Sequence, residues 1–188
     1  MPRLMRVMPN ERWQLVLQFA DEGFYLFESA IARAERGWPE LAYPNKLKHL
    51  TFTGQAVAWP GGRTLDAAYL LAHAQPIAGE ELQRQTLNLG YRNQAPTAAH
   101  ASHHVYGVSL CPFNSRPFVL EESIGGGHCE RGGASYYSLD ELLQQPQWPA
   151  FFAQAGCAWA VPLIGQIADE TLLLDTLVQE CCRRQDGA

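Results

Sequence analysis

The spacing of hydrophobic and polar positions changes several times along the chain. Hydrophobic side chains occupy every second position in residues 12–19, which predicts a strand. From Asp21 the spacing becomes three and four, which predicts a helix with Asp21 as its N-cap and its end at Gly37. A similar repeat also runs through residues 11–36, so one continuous helix is the alternative. We favour the strand followed by the helix, because Gly23 is unfavourable inside a helix.

The middle of the chain predicts short elements separated by proline and glycine. Their order is a strand over 50–59 that bends at Gly54, a turn at 60–62, a helix over 64–74 that begins at Thr64 or Asp66, a helix over 79–87, and a surface loop over 88–102. The helix over 64–74 has hydrophobic residues on one side, which predicts that this side is buried.

A hairpin is predicted next. Two strand-like stretches, 103–111 and 117–124, are joined by a turn rich in Pro, Asn and Ser. The glycine-rich stretch 125–133 then predicts a flexible turn. Ser138 and Glu141 have the spacing of a capping box, which predicts that a helix begins there.

The C-terminal part predicts mainly helices. Two short helices are divided at Pro146 and Pro149, residues 157–165 predict a short apolar strand, and residues 168–184 predict a closing helix. Acidic residues in the first turn of that last helix and arginines in its last turn suit the helix dipole.

Length and composition are those of a globular protein. The chain has 188 residues, of which 47% are hydrophobic and 18% charged, enough apolar material for a substantial core. Together with the mixed order of strands and helices, this predicts a single α+β domain over residues 1–188, with a mostly antiparallel sheet flanked by helices.

Net charge and hydropathy limit the cellular location and the kinds of partner that are expected for this protein. The net charge of −5 and the scattered basic residues disfavour a nucleic-acid surface. The N-terminus has no signal-like apolar core, and no apolar run approaches the roughly eighteen residues of a membrane span. The five cysteines lack CxxC spacing and are predicted to be free thiols. We therefore predict a cytoplasmic protein that does not contact membranes.

The histidines and cysteines between positions 100 and 133 raise the possibility of metal binding. Imidazole and thiolate are the ligands that zinc prefers, so the candidate set is His100, His103, Cys111 and His128. On a strand, His103 and Cys111 would share one face. No HExxH or CxxC spacing supports the set, so metal binding is an alternative hypothesis and no cofactor is predicted.

A cysteine nucleophile is a second chemical alternative. Cys129 lies beside His128 among glycines, and His103 is a possible base. Side chains of sequence neighbours usually point apart, and Glu130 opposes the formation of a thiolate at Cys129.

Charged side chains near the hairpin form a candidate partner surface. Glu121 and Glu122 are adjacent at the end of a strand, so they face opposite sides and do not make a close acid–base pair. With His128, Glu130 and Arg131 they provide charges for a protein interface.

The order of several segments resembles bacterial polymorphic-toxin immunity proteins of the immunity protein 52 type. After an opening strand and helix, a segment containing Trp carries GGRTLDAAYLL, and LNLGYRN precedes the strands HVYGVSLC and RPFVLEES. The helical stretch WPAFFAQAG then leads into CAWAVP. The resemblance covers about two-thirds of the chain. It implies a cytoplasmic α+β protein that binds and blocks a cognate toxin without catalysis or a cofactor.

These observations lead to one preferred hypothesis and two alternatives. We expect a protein-binding protein that neutralises a cognate bacterial toxin or effector. The first alternative is a small hydrolase or metal-dependent enzyme that uses the His/Cys residues between 100 and 130. The second is an adaptor or chaperone for a secreted effector. The sequence alone identifies no partner, substrate or oligomeric state.

Overall fold

The computed structural model describes residues 2–20, 23–96, 102–126 and 129–184, with the backbone alone at 126 and 129–131. The chain divides into two compact units. Unit 1 consists of Met1–Leu87 and Asp175–Ala188, and unit 2 of Asn88–Leu174.

Unit 1 is built from short antiparallel strands and short helices. Its strands are β1 (Leu4–Pro9), β2 (Gln14–Phe19), β3 (Gly23–Glu28), β4 (Thr51–Phe52), β5 (Ala56–Trp59), β6 (Arg63–Asp66) and β7 (Gln75–Ile77). Its helices are α1 (Ser29–Arg36), α2 (Pro44–Lys48), α3 (Ala67–His73) and α4 (Gly79–Gln83), with a 3-10 turn at Pro39–Ala42. One sheet has the order β1-β2-β3-β7 and the other β4-β5-β6.

Along the described part of the chain, unit 2 contains a four-stranded sheet, three helices and the beginning of a fourth. Its strands are β8 (Leu87–Gln94), β9 (His103–Leu110), β10 (Phe118–Gly126) and β11 (Cys129–Tyr137), in the order β11-β10-β9-β8. Its helices are α5 (Leu139–Leu143), α6 (Trp148–Gln154) and α7 (Ala160–Gln166). A further helix, α8 (Glu170–Arg183), begins in unit 2 and belongs to unit 1 from Asp175 onward. The unit boundaries fall at the start of β8 and within α8.

The α+β class predicted from the sequence is confirmed. The described residues form eight helices and three antiparallel sheets. Within those residues, no helix combines the length and the apolar character that a membrane crossing requires. The assignment of residues 1–188 to a single domain stays a prediction.

The predicted helix that follows β2 is wrong over its first half. Residues 23–28 form β3, which pairs with β2, and α1 begins only at Ser29. The alternative of one helix over 11–36 is wrong for the same reason. Four consecutive hydrophobic residues precede Glu28, and such a run satisfies both the helical and the strand period. The predicted N-cap, Asp21, lies outside the described residues.

The loop predicted over 88–102 and the glycine-rich turn predicted over 125–133 lie partly in strands. The prediction of a surface loop over 88–102 is wrong for 88–94, which belong to β8, an edge strand that tolerates exposed polar residues. Residues 97–101 lie outside the described residues. The predicted flexible turn is wrong for 125–126 and 129–133, which lie in β10 and β11, while residues 127 and 128 lie outside the described residues. Cross-strand pairing supplies the order that local propensity does not.

Two further predictions are corrected. Residues 157–165 do not form a strand, because α7 begins at Ala160 and buries Ala160 and Ile164, which share a helix face. The strand predicted over 50–59 is divided into β4 and β5, which pair with each other as a hairpin.

Three predicted helix boundaries are confirmed. Gly37 ends α1 in the left-handed conformation with φ 66°. Asp66 caps α3, since its carboxylate accepts a hydrogen bond of 2.7 Å from the Tyr69 N–H. Ser138 and Glu141 form the predicted capping box at α5. Side chains that satisfy free N–H groups therefore determine where these helices begin.

Replacement of Gly37 by alanine should lower the free energy of unfolding by about 1 kcal/mol, because a side chain disfavours positive φ. A Cβ at Gly37 would meet nothing within 4 Å, so the effect is conformational alone. Gly165 has equally open surroundings but lies in α7, where alanine should raise stability by roughly 0.5–1 kcal/mol. Urea unfolding of both variants measures the effects, and changes of the same sign would contradict this account.

Candidate functional site

The sheet of unit 2 carries the segment with the most candidate functional residues. β9 and β10 form the predicted hairpin, and β11 pairs with the other side of β10 along its whole length. Exposed residues lie on both faces of these two strands, at Glu121, Glu122 and Ile124 of β10 and at 132–136 of β11.

Glu121 lies on a sheet face whose neighbouring positions have small residues. It pairs with Gly107 of β9 and with Ala134 of β11. A Cβ added at Gly107 would lie 3.5 Å from Cβ of Glu121 and 3.7 Å from Cδ2 of Tyr91. The Glu121 carboxylate and the Tyr91 ring therefore lie on either side of a depression whose floor is the Gly107 backbone.

Glu122 lies on the opposite face, as strand alternation predicts. It pairs with Tyr106 of β9 and with Gly133 of β11. Burial raises the pKa of Tyr106, and the charge of Glu122 and the hydrogen bond to it raise that pKa further. The Tyr106 ring packs edge-to-face on Phe151 of α6, with 5.5 Å between the ring centroids. The neutral Tyr106 hydroxyl therefore donates a hydrogen bond to the Glu122 carboxylate, and the packing of the Tyr106 ring on Phe151 fixes the position of that hydroxyl.

Exposed apolar side chains accompany both carboxylates. They are Tyr91 and Tyr136 on the face of Glu121, 59% and 47% exposed, and Ile124 on the face of Glu122, 39% exposed. Tyrosine combines a large apolar area with a hydroxyl group, a combination that is frequent in protein interfaces.

The outer strand of this sheet is exposed along a continuous stretch. Residues 132–136 of β11 are all exposed, including positions that point to either face. Position 132 needs glycine, because a Cβ there would lie only 2.5 Å from Cβ of Ser123 on β10. Gly133 has nothing within 4 Å of such a Cβ. The small residues of β11 therefore leave the second strand, β10, accessible from outside.

Two of the four candidate metal ligands, His103 and Cys111, are described, and they lie too far apart to bind the same ion. His103 is exposed at the start of β9, whereas Cys111 is buried just after the end of that strand. Eight residues of strand separate them by roughly 27 Å, too far to bind one ion. His100 and His128 lie outside the described residues. Within the described chain, no group of three or more His, Cys, Asp or Glu side chains could hold a metal ion.

The candidate catalytic residues are placed only in part. The register sets the backbone of Cys129 opposite Gly126 and that of His103 opposite Gly125, with β10 between them. His128 lies outside the described residues, so the catalytic set stays a prediction.

The candidate partner-binding residues fall on neighbouring strands. Glu121 and Glu122 are exposed on β10, and the backbones of Glu130 and Arg131 on β11 pair with the far end of that strand. His128 again lies outside the described residues. The structure therefore brings four of the five positions to one half of one sheet, and their role as an interface stays a prediction.

A polar cleft beside β11 is a feature that the sequence analysis missed. It encloses about 380 Å³ and is lined by Ser135, Tyr136, Tyr137, Gln144, Gln145 and the ion pair Arg116–Glu141. The Ser138 N–H and then Arg116 lower the pKa of Glu141. No local signal joins Arg116 of the hairpin turn to a helix cap that follows 25 residues later, because only the fold brings them together.

Trp13 is a second missed feature, in unit 1. It was predicted inside a strand, but β2 begins at Gln14, and Trp13 occupies the turn before it with φ 60° and 46% exposure. Asn10 stabilises this turn, because its side-chain oxygen accepts hydrogen bonds from the N–H groups of Arg12 and Gln14 at 2.9 and 3.0 Å. Its amide group also donates to Gln85 at 2.7 Å. A bulky residue at positive φ is unusual and needs such support.

A comparison of the chain with protein-family models, curated proteins and solved structures found no match. The chain combines an α+β fold with an exposed outer half of one antiparallel sheet. That half carries a carboxylate on each face, with exposed apolar side chains beside each carboxylate.

Proposed function

We propose that this chain is a cytoplasmic protein-binding protein, and specifically an immunity protein that binds and neutralises a cognate bacterial toxin or effector. One observation carries the proposal. The outer half of the unit 2 sheet exposes Glu121 and Glu122 on its two faces, each next to exposed apolar side chains. The resemblance of the segment order to immunity proteins supports the same function.

The physical properties of this surface suit protein recognition. Exposed tyrosines provide apolar area at a small cost in side-chain entropy, and such residues often dominate interface energies. Carboxylates steer a basic partner toward the surface and increase the association rate. The net charge of −5 adds to this attraction over a longer range. The proposed partner is therefore a protein with a basic active region.

Reversing both charges by Glu121→Lys with Glu122→Lys should raise the Kd for the partner at least about tenfold, mainly through slower association. The partner is first captured from native cells with the tagged protein, identified by mass spectrometry and then produced separately. Calorimetry and stopped-flow binding at two salt concentrations measure the effect. Co-expression with the partner shows whether the wild-type chain restores the growth of intoxicated cells.

The matched control is Glu80→Lys with Glu81→Lys, an adjacent exposed pair on α4 in unit 1. It changes the net charge equally, so it should reproduce only the long-range part of the effect. Equal weakening by both double variants would reject the proposed surface. Failure of the wild-type chain to protect cells against a partner that it binds would reject the immunity function.

The same surface also supports the adaptor or chaperone alternative, which differs in its partner. An adaptor would bind an effector without blocking its activity, and its removal would lower secretion of that effector. Measuring effector activity with and without the purified chain separates these two functions, because only an immunity protein inhibits the bound partner.

A further inference from the structure

Glu122 is the middle member of a row of three cross-strand positions on one face of the unit 2 sheet. Tyr106 of β9 lies on one side of it and Gly133 of β11 lies on the other. Residues paired across antiparallel strands project from the same face, with their Cβ atoms about 5 Å apart. Gly133 has no side chain, and a Cβ there would meet nothing within 4 Å. The sheet face beside Glu122 is therefore filled on the β9 side and open on the β11 side.

The Glu122 carboxylate is exposed, but its position is fixed by the residues on the β9 side. Tyr106 is only 9% exposed, and its hydroxyl donates a hydrogen bond to this carboxylate. The Tyr106 ring packs edge-to-face on Phe151 and stacks beside His104, with centroid separations of 5.5 and 6.2 Å. A side chain that is already held in place loses less entropy on binding, so Glu122 is preorganised to accept a ligand group.

The charge and the surroundings of Glu122 favour a long basic side chain as that ligand group. A carboxylate can accept about four hydrogen bonds, so the bond from Tyr106 leaves most of this capacity free for cationic donors, which form the strongest bonds. Ile124 lies on the same face about 7 Å further along β10 and is 39% exposed. It offers apolar surface to the methylene groups of a basic side chain. Arginine fits better than lysine, because its planar guanidinium can bind both carboxylate oxygens at once.

We propose that the partner places one arginine side chain in the open space above Gly133, with its guanidinium on Glu122 and its methylene groups against Ile124. Tyr106 is then a positioning residue, which acts through Glu122. Glu121, on the opposite face, pairs with Gly107, which has no side chain to hold it, so Glu122 should contribute more to affinity. This inference rests on the proposed function and names the group that the surface recognises.

The probe is the capped tripeptide acetyl-Ala-Arg-Ala-amide, titrated into the full chain labelled with ¹⁵N. The backbone amide signals of residues 122, 124 and 133 should shift and reach saturation together. A matched peptide with citrulline in place of arginine keeps the shape without the charge, and its Kd should be at least about tenfold higher. A peptide with lysine should bind about threefold more weakly than the arginine peptide.

Variants of the chain test the role of each side chain. Glu122→Gln should raise the Kd of the arginine peptide about tenfold. Tyr106→Phe should raise it about threefold, because it keeps the ring that packs on Phe151 and removes only the hydroxyl. The double variant should bind like Glu122→Gln alone, whereas a structural role of Tyr106 would give additive losses. Glu81→Gln, at an exposed carboxylate on α4, changes the net charge equally and should leave the Kd unchanged.

The outcomes distinguish this inference from the proposed function. If charge reversal at 121 and 122 weakens binding of the partner but the arginine peptide causes no saturating shifts, the arginine site is rejected and the proposed interface stands. Saturating shifts together with an unchanged partner Kd after charge reversal would support the arginine site and reject the proposed function. Equal weakening of peptide binding by Glu81→Gln and Glu122→Gln would mean a general attraction of cations to the acidic chain and would overturn the inference.

Arg131 provides a test of a different occupant, because the register sets its backbone opposite Ile124. Arg131→Gln should change the Kd of the arginine peptide by less than about threefold. Binding that becomes tenfold or more tighter in this variant would show that an arginine of the chain itself occupies Glu122, and the assignment to a partner arginine would be wrong.

Discussion

Replacement of Phe118 by alanine is expected to lower the free energy of unfolding by about 3–5 kcal/mol, because it leaves a large cavity in the core of unit 2. Phe118 is 0% exposed and lies on the central strand β10, where it pairs with Leu110 of β9 and with Tyr137 of β11. The substitution therefore removes packing at the point where three strands meet. Urea unfolding followed by circular dichroism measures the change.

Two further variants define the origin of this effect. Phe118→Leu keeps most of the apolar volume and should cost less than the alanine variant. Tyr136→Ala removes another aromatic ring from the same sheet, but at a position that is 47% exposed, so it should cost much less. A similar loss for Phe118→Ala and Tyr136→Ala would contradict the assignment of Phe118 to the core.

Phe118→Ala also separates stability from binding. Phe118 lies three positions before Glu121 on the same strand and is buried, so it does not contact a partner directly. Under conditions in which the variant is still folded, its Kd for the partner should be close to that of the wild type. A large change in Kd for the folded variant would mean that the core controls the conformation of the proposed surface.

The hairpin of β9 and β10 could be predicted from the sequence because its hydrophobic residues alternate and its turn is rich in Pro, Asn and Ser. The strands on either side of it could not. β8 has hydrophobic residues at alternate positions only from Leu87 to Tyr91, where the pattern is short and contains Gly90, and its last three residues are polar. β11 contains two consecutive glycines, which are unfavourable in a strand. Their order comes from backbone pairing with the neighbouring strands of the sheet, which local propensity does not reveal.

The candidate site was predictable to a similar extent. The opposite orientation of Glu121 and Glu122 follows from strand alternation alone. The hydrogen bond from Tyr106 to Glu122 requires the register of β9 with β10, and the small residues at 133 and 134 matter only once β11 is known to be the outer strand. The sequence therefore predicts which charged side chains the site contains, but it does not predict the neighbouring residues that surround each carboxylate.

Local patterns also misplaced Trp13 and the start of α1. Trp13 continues the alternation of β2, but the side chain of Asn10 accepts two backbone hydrogen bonds and produces a turn there instead. Before α1, the hydrophobic residues of β3 match a helical repeat, but pairing with β2 keeps them extended. In both places, specific hydrogen bonds determine the backbone conformation, and the hydrophobic periodicity of the sequence predicts a different one.

Replacement of Gly90 by valine is expected to destabilise the protein by about 3 kcal/mol, at the upper end for overpacked sites. A Cβ at Gly90 would lie 2.6 Å from the carbonyl oxygen of Ala155 and 2.9 Å from Cβ of Cys157. The first of these atoms belongs to the backbone, so the segment between α6 and α7 must move away from β8. Thermal unfolding and urea unfolding measure the loss.

Gly133→Val is the matched control on the same sheet, because a Cβ at Gly133 meets nothing within 4 Å. Valine suits a strand, so this variant should be as stable as the wild type or slightly more stable. The two valine variants should therefore differ in what they change: one lowers stability and the other lowers affinity for the partner. Gly90→Val should reduce the amount of folded protein without changing the edge of β11. Gly133→Val should preserve the fold while covering part of the surface beside Glu122, with which it pairs, and should therefore weaken binding of the partner. Unchanged partner binding by Gly133→Val would show that the surface at position 133 does not contribute to recognition.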